Sequence, residues 1–251
     1  MIDLHCHILP GIDDGAKDLA QALVMARMAV SDGITHAVLT PHIHLGRYSN
    51  TRESIVRACR DFRQALKSEG IALSIGVAAE IRICSELPTL LNQGDLPYLG
   101  QWHGYKVLLL EMPHSHIPLG IESLFQWMLK RRVRPMIAHP ERNREIIRDF
   151  NKAIRLIERG CLFQVTAGSL TGRFGEGAKV RAHQLMRAKL VTILASDAHH
   201  ERRRPPVLSD GMRIAENLLG ESRAWDLVWR NPAMLAAQKF IYPPMATMAF
   251  A

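Results

Sequence analysis

The chain has only four cysteines in 251 residues, Cys6, Cys59, Cys84 and Cys161, and they form no CxxC pair and no evident disulfide framework. That excludes a disulfide-stapled secreted scaffold and leaves the thiols as small buried hydrophobes. None has an arginine six positions on, so a cysteine-nucleophile phosphatase loop is excluded as well. No P-loop, GxSxG or GxGxxG stands in a usable context. Aromatics make up 6% and form no interleaved stacking run, so a nucleic-acid partner is not expected. No apolar run reaches the roughly 18 residues of a membrane helix. The first motif begins at residue 3 and leaves no room for a secretory leader. A cytoplasmic protein without membrane insertion is expected.

Acidic residues are outnumbered, 24 to 32, giving a net charge of +8 and a pI near 9.6. Such a balance suits an anionic partner, whether a phosphate ester, nucleic acid or an acidic peptide, although solvated helix faces would produce the same count. The length and the 47% hydrophobic fraction allow one sizeable core.

What the chain has is nitrogen and carboxylate. DLHCHILPGIDDG (3–15) places His5, His7 and Asp14 close together. TPH adds His42, AHPER adds His139, and SDAH adds Asp197 and His199. Glu80 and Glu111 each close an apolar run, IALSIGVAAE and YKVLLLE. An all-N/O ligand set of this kind suits borderline divalent ions such as Mn, Fe or Zn, and such clusters commonly serve hydrolysis. An isolated HxH is a weak signal, and a buried Glu can be a structural ion pair. The case rests on the set as a whole.

Apolar strand-like runs alternate with helical periodicity. Strands are expected at IDLHCH, THAVLT, IALSIGVAAE, YKVLLLE, RPMIAH, CLFQVTA and LVTILASD, with helices near 20–33, 52–69, 120–131, 151–159, 176–189 and 208–230. This predicts parallel strands joined by right-handed crossovers, an α/β barrel of seven strands rather than eight. One domain over 1–251 is expected, with the last eleven residues, IYPPMATMAFA, as a tail. His5, His7, His42, Glu80, Glu111, His139, Asp197 and His199 all fall at or just after strand ends, where a parallel barrel gathers its active site. Period two puts His5 and His7 on one face. His44, His114 and His116 are weaker candidates for facing a substrate, and His36 reads as structural. Arg142, the run Arg202, Arg203 and Arg204, and Arg47 with Tyr48 are candidates for phosphate or substrate contact, because guanidinium forks match phosphate oxygens.

These motifs resemble the polymerase-and-histidinol-phosphatase (PHP) superfamily of metal-dependent phosphoesterases. Within it, DLHCHILPGIDDG and AHPERN are similar to the bacterial tyrosine-protein phosphatases of capsular and exopolysaccharide loci. The resemblance spans about four-fifths of the chain, and ILPGIDDGA is its most specific part. It implies a distorted (β/α)7 barrel holding three divalent ions, often Mn. His5, His7, Glu80 and Asp197 would hold one, Glu80, Glu111 and His139 a second, and Asp14, His42 and His199 the third. Arg142 and Arg204 match the phosphate-binding arginines; Arg47 and Arg202, read from their positions near the site and not from the resemblance, are expected to bind substrate. The implied partner is an autophosphorylating tyrosine kinase of polysaccharide synthesis. A histidinol-phosphate-type phosphatase and a metal-dependent nuclease are the competing readings.

Overall fold

The computed structural model describes residues 1–240; the apolar tail expected at 241–251 lies outside the described residues. Ten strands are assigned: β1 (Ile2–Cys6), β2 (His36–Leu39), β3 (His42–Ile43), β4 (Ser74–Val77), β5 (Glu80–Arg82), β6 (Gly100–Trp102), β7 (Tyr105–Glu111), β8 (Val133–Ala138), β9 (Leu162–Thr166) and β10 (Ile193–Ala195). All pair in parallel except β6, which forms an antiparallel hairpin with β7 that the periodicity did not predict.

One sheet has the order β1-β2-β4 and the other β10-β9-β8-β7-β5-β3. The break between them is local. His36 lies opposite Ser74, Leu39 opposite Val77, His42 opposite Glu80 and Ile43 opposite Ile81, so the register of β2 on β4 continues into β3 on β5. Pro41, which has no N–H to give, interrupts the first of these runs. The ends of β1 and β10 are also joined: Asp197 N–H donates to the His5 carbonyl at 2.7 Å and His7 N–H to the Ala198 carbonyl at 2.8 Å.

Helices fill the crossovers. Helix α1 (Leu19–Ser31) starts where the Asp18 side chain accepts from Gln21 N–H, and Gly33 at φ +86° follows its end. Helix α2 (Arg52–Ser68) opens with a capping box, Thr51 and Ser54 satisfying each other's backbone N–H. Its buried residues Ile55, Cys59, Phe62 and Leu66 recur at helical spacing. A short helix, Leu87–Gln93, falls where none was expected.

Two apolar clusters lie on opposite faces of the strands. Ile2, Leu4, Val107, Leu109, Met136, Ala138 and Ile193 form the smaller, capped by Leu235 and Phe240 after the last long helices. Leu108, Leu110, Ile137, Phe163, Val165 and Leu194 alternate with them and pack against Met25, Phe62, Phe125 and Leu185 of the helices. Strict alternation from Ile2 and Leu4 would send His5 towards the helices. The register of β1 on β2 slips instead: Asp3 faces Ala37, and Cys6 faces Leu39. This bulge turns His5 back to the face of Ile2 and Leu4 and puts Cys6 into the outer cluster.

Candidate metal centre

His5 and His7 are fully buried, and both rings are held from behind. Gln164 Oε1 lies 2.8 Å from His5 Nδ1 and also accepts the His139 N–H at 3.1 Å. The backbone donor fixes which end of the amide is oxygen, so His5 must carry its proton on Nδ1. Asp13 Oδ2 lies 2.7 Å from His7 Nδ1 and accepts the His42 N–H at 3.0 Å, which fixes the same tautomer on His7. Each imidazole, when neutral, therefore presents an Nε2 lone pair, and the two Nε2 atoms are only 3.2 Å apart. Glu80 Oε2 lies 3.3 Å from both, and Asp197 Oδ1 lies 3.4 and 3.7 Å from them. Three electron-pair donors, from His5, His7 and Glu80, thus converge on one point away from water, and Asp197 joins His5 and His139 in an overlapping set. Asp197 Oδ1 is buried there without a hydrogen-bond donor. Only a cation or added protons can occupy such a point.

The neighbouring groups extend the same pattern. Glu80 Oε1 lies 2.8 Å from His139 Nε2, and Glu111 joins these two in a set whose ligand atoms all fall within 4.8 Å of one another. His7, Asp14, His42 and His199 form another such set. His42 Nε2 is 3.3 Å and His199 Nε2 3.6 Å from Asp14 Oδ1. His199 Nδ1 faces the Asp197 carbonyl at 3.0 Å, which leaves Nε2 to offer an electron pair. The structure brings all nine sequence-predicted ligand residues into these overlapping groups. Two of them sit on left-handed backbone that disfavours side chains, His139 at φ +35° and Asp197 at φ +51°. Each ends its strand in a turn that re-aims the side chain.

The electrostatics without bound metal reflect the same crowding. Burial would lower the His7 pKa, but Asp13 and Glu80 outweigh it and raise it to about 10. Burial and then the Arg142 guanidinium drive His139 down to about 3; burial and then His7 do the same to His199. Against burial, His5, His42 and His139 hold Glu80 well below the usual carboxylate range, and Arg142 and Arg204 do so for Asp197. Burial and the nearby Glu80 raise Glu111. In the metal-free protein, then, protons and guanidinium groups offset the charge that cations would neutralise.

Both candidate arginines reach the centre. Arg142 Nη2 donates to Asp197 Oδ2, and Arg204 Nη2 lies 2.6 Å from the same oxygen. A cavity of about 240 Å³ opens above the ligands, lined also by His44, Arg47, Tyr48, Arg82 and His114. Tyr48 stacks on His42, with centroids 5.5 Å apart and an interplanar angle of 11°, and Arg47 lies over the Tyr48 ring. Arg202 is exposed and does not line this cavity, nor does His116. A wider open cleft of about 820 Å³, between the start of α1 and residues 199–204, shares Asp14, His199 and Arg204 with it.

Sequence reasoning missed the residues behind the ligands. Asp13 adjoins Asp14, and nothing in IDDG says which carboxylate turns inward. Gln164 was visible only as a polar residue within the apolar strand CLFQVTA. Asp3 accepts from the Ser196 N–H and hydroxyl and from His5 N–H, tying β1 to the end of β10. Arg82, 3.0 Å from Glu111, gave no motif signal.

Known proteins that resemble this chain point one way. A family model described as "Capsular polysaccharide synthesis, CpsB/CapC" matches residues 1–237. The tyrosine-protein phosphatase YwqE of Bacillus subtilis is 36% identical over 97% of this chain and 95% of its own length. A putative tyrosine-protein phosphatase, CapC of Staphylococcus aureus, is 32% identical over 83% of this chain and 80% of its own. A crystal structure from work on YwqE and on CpsB of Streptococcus pneumoniae, described as metal-dependent tyrosine phosphatases, superposes with a TM-score of 0.88 at 35% identity, covering 97% of both chains. More distant structures, such as a phosphotriesterase homology protein of Escherichia coli (TM-score 0.54, 11% identity), share the fold alone.

Fold and site together define a metal-dependent hydrolase built on parallel α/β architecture. Within that class the chain belongs to the CpsB/CapC family of capsular polysaccharide synthesis.

Proposed function

We propose that the chain is a metal-dependent phosphotyrosine-protein phosphatase, acting in the cytoplasm on an autophosphorylating tyrosine kinase of capsule or exopolysaccharide synthesis. The observation that carries this reading is the pair of His5 and His7 Nε2 lone pairs, 3.2 Å apart and ringed by carboxylate oxygens, beside two arginines. The first supports a cation site and the second an anion site. The strands are read as a distorted (β/α)7 barrel, in which β2–β3 and β4–β5 each count as one strand and the β1–β10 hydrogen bonds close the ring. That closure gathers the ligands at the C-terminal ends of the strands.

Three divalent ions fit the donor set, Mn first and Fe or Zn as alternatives. His5, His7, Glu80 and Asp197 would hold one, Glu80, Glu111 and His139 a second, and Asp14, His42 and His199 the third. When bound, the ions supply positive charge that acidifies water and polarises phosphoryl oxygens. The chain's own part is positioning and charge. Asp13 and Gln164 keep Nδ1–H on His7 and His5, so that Nε2 of each stays a ligand. Arg142 and Arg204, anchored through Nη2 on Asp197 Oδ2, would turn their remaining N–H groups to non-bridging phosphoryl oxygens. A phenol, with a pKa of about 10, leaves more readily than an alkyl alcohol, so strong general-acid help is not required. The 240 Å³ cavity suits a phosphoryl group, and the adjoining 820 Å³ cleft offers a polypeptide room beside it.

The test is hydrolysis by chelator-stripped protein refilled with Mn, Fe or Zn. Phosphotyrosine peptide, histidinol phosphate and single-stranded DNA would be compared directly. Metal-restored turnover that prefers the phosphotyrosine peptide is expected. Preference for either other substrate would replace the reading, and turnover unaffected by stripping would overturn the metal scheme.

A further inference from the structure

The two arginines share a second contact. The Arg142 guanidinium carbon lies 4.5 Å from the centre of the Phe174 ring, and that of Arg204 lies 5.6 Å from the same centre. The Nε atoms of both are buried without a hydrogen-bond partner. Their common acceptor is Asp197 Oδ2, while Oδ1 of the same carboxylate faces His5 and His7. Phe174 itself is half-buried in a glycine-flanked turn. It lies between Gly172 and Gly175, both at φ +89°, and its Cε2 would stand 3.2 Å from a Cβ added at Gly168. Its neighbour Arg173 donates from Nη1 to the Arg203 carbonyl at 3.1 Å, tying this turn to the loop that carries Arg204.

A planar guanidinium stacks well on an aromatic face, and that contact uses none of its N–H donors. A carboxylate in the same place would hold the arginine by taking up its fork. We propose that Phe174 is a positioning residue, whose ring holds Arg142 and Arg204 side by side with their forks open to a phosphoryl dianion. Phe174 does not line the 240 Å³ cavity, so it would act on a bound phosphoryl group only through the two arginines. The inference rests on the phosphatase reading of the site, and it adds a residue that no motif of the sequence singled out.

The experiment is a comparison of Phe174→Leu and Phe174→Tyr with the unaltered protein, all loaded with Mn. Leucine keeps an apolar side chain but removes the π face; tyrosine keeps the face. Phe174→Leu should raise the dissociation constant for inorganic phosphate, and KM for a phosphotyrosyl peptide, by about 5- to 30-fold. Bound Mn per chain should not change. Phe174→Tyr should stay within about two-fold of the unaltered protein. In an Arg142→Ala/Arg204→Ala background, Phe174→Leu should add nothing further to the loss of phosphate affinity. Equal phosphate affinity in Phe174→Leu and the unaltered protein would overturn the inference. So would equal losses in the leucine and tyrosine variants, or an undiminished effect in the arginine-free background. If the Mn-loaded unaltered protein neither binds phosphate nor hydrolyses the peptide, the phosphatase reading itself fails, which separates the two outcomes.

Discussion

Asp13 shows how much of this site depends on atoms that never touch a ligand. Its carboxylate takes the His7 Nδ1 proton contact and two backbone N–H groups, from Gly15 and His42, so one side chain sets a ring orientation and the course of two segments. Asp13→Asn should weaken metal binding by about 10- to 100-fold while the protein still folds, as measured by chelator competition. His139→Ala should abolish turnover with far-ultraviolet circular dichroism unchanged; Cys84→Ser should leave turnover intact. Full activity in His139→Ala would refute the metal scheme. The convergence of eight of the nine ligand-type residues was legible because ionisable residues ending apolar strands are costly without a purpose, and Asp14 was legible only through its motif. Asp13, Gln164 and Phe174 were not legible, because their roles depend on which way a side chain turns and not on spacing. The pH dependence of the metal-free protein follows from the same side chains. His7, raised to about 10, contributes stability that is full below about 6.5 and is lost as pH rises through 10. His139 and His199, depressed to about 3, contribute stability that is full above about 6.5 and is lost as pH falls towards 3. The thermal midpoint without metal should therefore be highest near neutrality and fall on both sides. Mn should flatten the alkaline arm, since the ion replaces the His7 proton.

At the scale of elements, the helix and strand alternation was readable, but the irregularities that aim the site were not. The β1 bulge is one of them: Ile2, Leu4, His5 and His7 share a face only because one extra residue is inserted. Gly15 is another. A Cβ there would stand 2.0 Å from the His7 carbonyl oxygen, so the loop bearing Asp13 and Asp14 lies against β1 only as glycine. Gly15→Ala should cost about 1–3 kcal/mol in denaturant unfolding and lower metal content, because the loop must lift away with both carboxylates. An Ala variant with normal stability and metal would show that the loop relaxes without moving them. The capping box of α2 lies far from this chemistry, so Thr51→Ala should lose about 1 kcal/mol of stability and no activity. The β6 hairpin and the helix Leu87–Gln93 escaped sequence reading because both are short, and their place is set by what packs on them. Gly100, where an added Cβ would meet the Leu235 carbonyl oxygen at 1.9 Å, is fixed by a partner more than a hundred residues away.

Over the whole molecule, charge and connectivity take over. With a net charge of +8, attraction to an acidic phosphopeptide should weaken as salt rises. Raising ionic strength from about 0.01 to 0.15 M shortens the Debye length from roughly 30 to 8 Å, and KM for the peptide should rise over that range while kcat holds. A flat KM would locate the excess charge away from the cleft. None of the described helices is long and apolar enough to cross a membrane. The β1–β10 seam has a consequence for biosynthesis. His5 and His7 leave the ribosome first among the ligand-type residues, while Asp197, hydrogen-bonded to His5, and His199, which follows the Ala198 that accepts from His7, arrive last. No nascent fragment ending before the 199–204 loop can offer the complete donor set. Of the three proposed metal sets, the one with Glu80, Glu111 and His139 would be complete once residue 139 is made, whereas the two that use Asp197 and His199 would wait for the strand that seals the sheet.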